Sequence, residues 1–252
     1  MTSKIALVTG GSRGLGKDSA IQLAKKGFHI ILTYQTKKEF ADEVVKEIEN
    51  IGQKAFALLL DISTTAGFNQ FANEIKNILD TQFASAKLDA LVNNAGIGIN
   101  QSFETTTEET LDTMTNIHFK GPYFLTQKLL PLLNDGSSIV NTSSGLARFS
   151  FAGYSAYGAM KAAIDSLSRY QALELGSRKI RVNSIAPGAI ETDFGGGVVR
   201  DISDLNQHIA SETALGRVGL PDDIGSVVAF LCSEDSKWIN AQRIEVSGGY
   251  KI

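Results

Sequence analysis

The 252-residue sequence is short of most features that mark specialised protein classes. It has one cysteine, Cys232, which excludes an intramolecular disulfide and a cysteine-based zinc site. Cys232 lies in the apolar run 227–232 and reads as a small core residue. A reducing, cytoplasmic compartment fits that thiol usage. The three histidines, His29, His118 and His208, are far apart and follow no ligand spacing, so no metal and no catalytic histidine is assigned. His118 stands two residues from Asn116 in a helix-patterned stretch and is expected to face elsewhere. No apolar run approaches the ~20 residues that span a bilayer. The start, Met1-Thr2-Ser3-Lys4, leads into an apolar strand too short for a signal-peptide core. A net charge of −3 gives no global attraction to nucleic acid or anionic membrane. Repeats, low-complexity tracts and linkers are missing too, and the length suits one α/β domain over 1–252.

What the sequence does have is alternation. Residues 5–9, 28–34, 55–60, 88–93, 138–142, 181–186 and 243–246 read as seven short apolar strands. Between them, residues up to 26, 37–50, 68–79, 108–133, 155–175 and 221–232 carry helical spacing. Pro122 is expected to bend the fourth of these helices. Residues 80–87 read as a helix extension or loop. Strands that are apolar throughout imply a sheet covered on both faces, and strand–helix alternation implies parallel order with right-handed crossovers. The stretch 194–211 opens with Gly195-Gly196-Gly197 and reads either as a mobile lid over 193–213 or as a surface loop.

Thr9-Gly10-Gly11-Ser12-Arg13-Gly14-Leu15-Gly16 joins the first strand to the first helix. Helix-start N–H groups have no intrahelical partner, and small residues let a pyrophosphate reach them. Glycines at 10, 14 and 16 are spaced differently from the G-x-G-x-x-G fingerprint. Gly10, Ser12, Arg13, Gly14, Leu15 and Gly16 are the candidate phosphate contacts. An acid at the end of the second strand would bind both ribose hydroxyls and repel a 2′-phosphate. Tyr34 is there instead, with Lys37 and Lys38 just beyond and Arg13 in the loop. NADP(H) is therefore expected over NAD(H), with Arg13 suited to paired hydrogen bonds with a phosphate. Asp61, followed by Ile62, ends the third strand; its carboxylate is suited either to an adenine amino group or to capping the next helix.

Tyr157 and Lys161 lie four apart on the helix over 155–175 and so share a face. A free tyrosine titrates near ~10, and a neighbouring cation lowers that value toward a range useful for acid–base work. The same spacing also arises by chance on many helices, so the pair alone decides nothing.

With the glycine loop, Asn93-Asn94-Ala95-Gly96, Ser144, Tyr157-x-x-x-Lys161 and Pro187-Gly188 in this order over nearly the whole chain, the sequence resembles the short-chain dehydrogenase/reductase family. Within it, the chain is most similar to NADPH-dependent 3-oxoacyl-acyl-carrier-protein reductases. The resemblance implies a three-layer αβα, Rossmann-like, doubly wound parallel sheet of seven strands in the order 3-2-1-4-5-6-7. It implies a catalytic tetrad of Asn116, Ser144, Tyr157 and Lys161, with Ser143 as competitor to Ser144 and Tyr154 lining the pocket or packing. In that reading Ser144 orients the carbonyl, Tyr157 gives the proton, Lys161 lowers the tyrosine pKa and Asn116 holds a water; a buried, helix-kinking amide is the alternative for Asn116. It further implies cofactor contacts from Asn93, Ala95, Gly96, Tyr157, Lys161, Pro187, Gly188, Ile190 and Thr192. The expected activity is hydride transfer from NADPH to a ketone or 3-oxoacyl carbonyl. The alternatives are an NAD(P)-dependent alcohol or sugar-alcohol dehydrogenase and, from another class, a non-catalytic NADP-sensing protein. A homotetramer, or a dimer, is expected, with no nucleic-acid or membrane partner. Asn240-Ala241-Gln242 departs from the common Thr-Gly-Gln, which alters a turn but not the tetrad.

Overall fold

The computed structural model describes residues 4–84 and 86–252; the first three residues and Ser85, on which parts of the N-terminal and 80–87 readings fall, lie outside the described residues. Seven strands, β1 (Lys4–Val8), β2 (Phe28–Tyr34), β3 (Ala55–Leu59), β4 (Leu88–Asn93), β5 (Leu133–Thr142), β6 (Arg181–Pro187) and β7 (Arg243–Val246), form one sheet in the order β3-β2-β1-β4-β5-β6-β7. Every neighbouring pair is parallel. The order reverses between β1 and β4, and this switch point opens a crevice at the carboxyl ends of the strands.

Strand side chains alternate between faces. Ala6, Val8, Ile30, Leu32 and Val92 meet helices α1 (Gly14–Lys25), α2 (Lys38–Asn50) and the late helix Pro221–Leu231. Ile5, Leu7, Ile31, Leu91 and Ile139 meet α3 (Phe68–Gln82) and the helices Gly121–Leu129 and Ser155–Glu174. Most of these side chains are completely buried, and truncating one such leucine to alanine costs about 2–5 kcal/mol. No helix among the described residues is long and apolar enough to cross a membrane.

Three expectations change. The helix over 108–133 is four pieces: α4 (Glu108–Thr115), a π-helical turn (Asn116–Lys120), α5 (Gly121–Leu129) and a 3₁₀ turn (Leu130–Leu132). Pro122 is not the cause of the break. It sits in the first turn of α5, where its missing N–H costs least, and the irregularity lies upstream in the wider i→i+5 turn. β5 begins at Leu133, five residues before the expected start, because Leu133 pairs with Leu88 ahead of a register shift. The 194–211 stretch is structured: a 3₁₀ turn (Phe194–Gly196), then α7 (Val198–Asp201) and α8 (Ser203–Ser211). Gly195, Gly196 and Gly197 all take positive φ, which turns the chain sharply before α7. Beyond it lie α6 (Ser155–Glu174), as expected, before this segment, and α9 (Pro221–Leu231) after it.

Candidate active site

The glycine loop sits at the switch point. Gly10 takes φ +64°, and a Cβ there would lie 2.9 Å from the Cα of Ala95. A Cβ on Gly16 would meet the Asn94 amide at 2.5 Å. Asn94 Nδ2 donates to the carbonyls of Thr9 (3.0 Å) and Gly10 (3.3 Å), while Thr9 Oγ1 accepts from the N–H groups of Asn94 (2.9 Å) and Ala95 (3.1 Å). The two loops are thus clamped, and Thr33 Oγ1 holds the N–H of Gly10 at 3.0 Å. At the start of α1, Arg13 gives no side-chain cap and no acid occupies the first turn. A free, uncapped twelve-residue helix start suits a pyrophosphate. Thr192 closes the other side: its Cγ2 lies 3.5 Å from where a Cβ on Gly14 would be.

The other expected cofactor residues have partners within the protein. Asp61 accepts from the Ser63 N–H (2.9 Å), Ser63 Oγ (2.7 Å), Thr64 Oγ1 (3.3 Å) and Gln35 Nε2 (3.2 Å). It holds a local turn at Ser63 and Thr64 rather than capping a helix, and these donors lower its pKa. Asn93 turns its side chain inward, donating to Thr126 Oγ1 (3.0 Å) and Asn141 Oδ1 (2.8 Å). Ile190 pairs its backbone with Gly219. Lys37 Nζ lies 4.9 Å from the Phe40 ring centroid. Arg13 is not free: its Nη1 lies 3.3 Å from Asp193, which also takes Arg200 at 2.6 Å. Tyr34 stays at the end of β2, half-buried, and Ile62 packs into the core on the α3 side. Gly188, after Pro187 at the end of β6, donates its N–H to Val246, and a Cβ there would sit 2.9 Å from Ser247 Cα. Gly96 is tight for a different reason: a Cβ there would meet the ring of His118 at 2.8 Å.

The acid–base group assembles at the same edge. Tyr157 is 7% exposed, and the Ser144 side chain beside its hydroxyl favours the phenolate. Arg243 Nη2 fixes Ser144 through its carbonyl at 3.0 Å, and Ser143 Oγ is turned away to the carbonyl of Lys161. Ser144 is therefore the serine at the tyrosine. Lys161 is 5% exposed, donates to the carbonyl of Thr142 at 2.8 Å and lies 5.5 Å from the Tyr157 ring centroid. Burial lowers it to about 8, against the pull of Asp165 one turn on. Burial likewise pushes the Tyr157 hydroxyl well above its ordinary value, opposed by the Ser144 bond. The expected lowering by Lys161 is not what the structure shows: burial, then the neighbouring Tyr154, raise this tyrosine, and only Ser144 opposes them.

Asn116 is not drawn into this cluster by any side-chain bond among the described residues. His118 is. Its ring stands edge-on to Tyr157, centroids 5.1 Å apart and planes at 87°. It is 1% exposed, and its Nε2 donates to the carbonyl of Ile97 at 2.8 Å. The expectation that His118 faces elsewhere assumed a regular α-helix; the π turn re-aims the residues after Asn116. Phe194 packs on the open side of Tyr157 (5.6 Å), with Tyr154 (6.3 Å) and then Phe151 (6.2 Å from Tyr154) beyond. Only the run of aromatics around 149–157 hinted at this in the sequence.

The family model described as "Enoyl-(Acyl carrier protein) reductase" matches residues 10–251. "Hydroxynaphthalene reductase-like protein Arp2" of Metarhizium brunneum is 35% identical over 260 residues, covering 99% of this chain and 95% of that protein. "Short-chain dehydrogenase/reductase FrzI" of a Cladobotryum species is 35% identical, covering 99% and 96%. The crystal structure of landomycin C-6 ketoreductase LanV with bound NADP and rabelomycin superimposes with a TM-score of 0.90 at 36% identity, covering 99% and 96%. On this fold, this site and these likenesses, the chain belongs to the short-chain dehydrogenase/reductase family and is an oxidoreductase that carries hydride between a nicotinamide cofactor and a carbonyl.

Proposed function

We propose that the protein uses NADPH to reduce a ketone, with Tyr157 as the proton donor. The observation that carries this is the buried Tyr157 beside Ser144 and Lys161, at the sheet edge that also presents the uncapped start of α1. Gly10, Ser12, Gly14, Leu15 and Gly16 hold the diphosphate, Arg13 the 2′-phosphate, and Pro187, Gly188 and Thr192 the nicotinamide end. NADPH, when bound, supplies the hydride. The protein supplies placement and the proton. Ser144 orients the carbonyl oxygen by hydrogen bond, and Tyr157 releases its proton as negative charge grows there. Tyr157 is protonated at neutral pH and so starts as the acid; burial by itself weakens it as a donor, and that weakening has to be offset where the phenolate forms. Lys161 stabilises the phenolate left behind.

The ketone is part of a flat aromatic skeleton rather than a flexible acyl thioester. Phe151 and Phe194, 45% and 42% exposed, continue the rings of Tyr154 and Tyr157 outward, a wall suited to stacking. Residues 193–213 close over that wall as a lid, hinged at the left-handed glycines. The protein works in the cytoplasm, which its single, buried cysteine suits, and assembles as a homotetramer or dimer through α6, whose Tyr170 and Leu173 face outward. The test is NADPH oxidation with a panel of bicyclic aromatic ketones, acyl thioesters, diketones, keto sugars and aldehydes. Turnover confined to thioesters would sink the aromatic reading, and no turnover with any carbonyl would sink the reductase.

A further inference from the structure

His118 donates from Nε2, because a carbonyl can only accept. Burial and the nearby Lys161 charge keep the ring neutral, so Nδ1 is a bare acceptor. That nitrogen is buried and has no partner among the described residues. Of the other buried atoms in this condition, two oxygens lie close by, Asn93 Oδ1 and Thr142 Oγ1. An unpaired buried polar atom is costly, so three around one cavity need an explanation. All three residues line the same small cavity, and Lys161 lines it too. Lys161 has three N–H donors, of which the Thr142 carbonyl takes one.

We propose that His118 is a positioning residue that holds a relay water against Lys161, the part the family resemblance assigns to an asparagine. This rests on the proton-donor reading of Tyr157. The water accepts from Lys161 Nζ and donates to His118 Nδ1 and Asn93 Oδ1, with Thr142 Oγ1 as an alternative partner. Each reduction leaves the site one proton short. The water gives a proton to Lys161 after the lysine has passed one toward Tyr157, and takes one back from solvent, so no charge stays in the cavity. His118 itself keeps its proton on Nε2 throughout. The edge-on contact with Tyr157 ties the water and the phenol to one rigid ring.

The test combines kinetics with a crystal structure of the NADPH complex. In wild type, a water bonded to Nδ1 of His118 and Nζ of Lys161 is expected; a cavity without it overturns the proposal whatever the substrate proves to be. His118→Leu should lower kcat by about 10–100-fold, a proton-transfer loss, while the KM for NADPH stays within about twofold. Its solvent deuterium isotope effect on kcat should rise, and the effect of deuterium-labelled NADPH should fall, because proton supply becomes limiting. His118→Asn should recover most of the loss. Thr142→Val, which removes an unpaired hydroxyl without touching His118, should raise the solvent effect in the same direction and stands in if His118→Leu does not fold. Asn116→Ala should leave both isotope effects unchanged. Unchanged solvent effects in His118→Leu and Thr142→Val, or their rise in Asn116→Ala, would overturn it. Wild type inactive on every carbonyl, with the water in place, would instead count against the reductase.

Discussion

The imidazole of His118 stands edge-on to the phenol of Tyr157, with ring centroids 5.1 Å apart. The contact joins the π turn after α4 to the catalytic face of α6. It also fixes the depth at which the phenol is buried, and that burial raises its pKa.

Removing the hydroxyl should separate binding from chemistry. Tyr157→Phe keeps the ring and its contacts with His118 and Phe194. Turnover is expected to fall by at least about 10²–10⁴-fold while NADPH still binds with near wild-type Kd. Fluorescence titration of NADPH beside steady-state kinetics checks both; retained turnover would exclude Tyr157 as the acid.

Lys161 makes the cofactor-free protein less stable at neutral pH. Its folded pKa, about 8, lies below the unfolded value of 10.5. Between these values the unfolded chain holds the extra proton, so this group's contribution to stability increases as pH rises through that window. Below pH 8 both states are charged and the buried cation costs roughly 3 kcal/mol. Lys161→Met should therefore raise Tm at pH 7 by about 3–6 °C, net of the lost bond to Thr142, and abolish turnover. The gap between variant and wild type should narrow from pH 8 to 10. A constant gap in a thermal-melt series would refute the assignment.

In the proposed reading of Arg13, its ion pair with Asp193 competes with the 2′-phosphate. The ion pair is exposed, so breaking it should leave Tm unchanged. Asp193→Asn frees Arg13 and should lower the KM for NADPH several-fold. Arg13→Ala should raise it by about 10-fold, the size of one charge-assisted contact, with little change for NADH. Equal effects on both cofactors would mean that Arg13 does not read the 2′-phosphate.

Ala241 carries a backbone cost. Its φ is +60°, a left-handed conformation, and its N–H donates to Val182 at 2.8 Å between α9 and β7. A Cβ in this region costs about 1–2 kcal/mol, part of which glycine returns as unfolded-chain entropy. Ala241→Gly is expected to hold or raise Tm by up to a few degrees, without effect on kcat. A clear fall in Tm would show that the turn is not strained.

The aromatic wall has its own test. Phe194→Ala should raise KM for bicyclic aromatic ketones by about 10-fold, the loss of one stacked ring, and leave a small aliphatic ketone within twofold. A uniform change would place Phe194 in lid closure rather than in substrate contact.

The seven strands, their parallel order and the Tyr157–Lys161 face were legible in the sequence because they rest on short-range periodicity. Apolar runs of four to seven residues bounded by glycine or a polar turn leave little choice of element, and a four-residue spacing on one helix survives any packing. The glycine loop was legible for the same local reason: positive φ together with close backbone approach favours glycine. Local pattern could not decide which way side chains turn where the helix is irregular. Asn116 and His118 differ in role because a single π turn rotates one of them toward Tyr157, and no propensity in residues 114–121 announces that turn. Asp61 and Arg13 illustrate the same limit for charges. Each has the right chemistry for a cofactor, but the tertiary structure supplies nearer partners, Ser63 for one and Asp193 for the other, from turns whose approach only the folded chain determines. The Tyr157 pKa divides likewise: the sequence placed a cation four residues away, but the depth of burial, a property of the whole packed core, sets the direction of the shift.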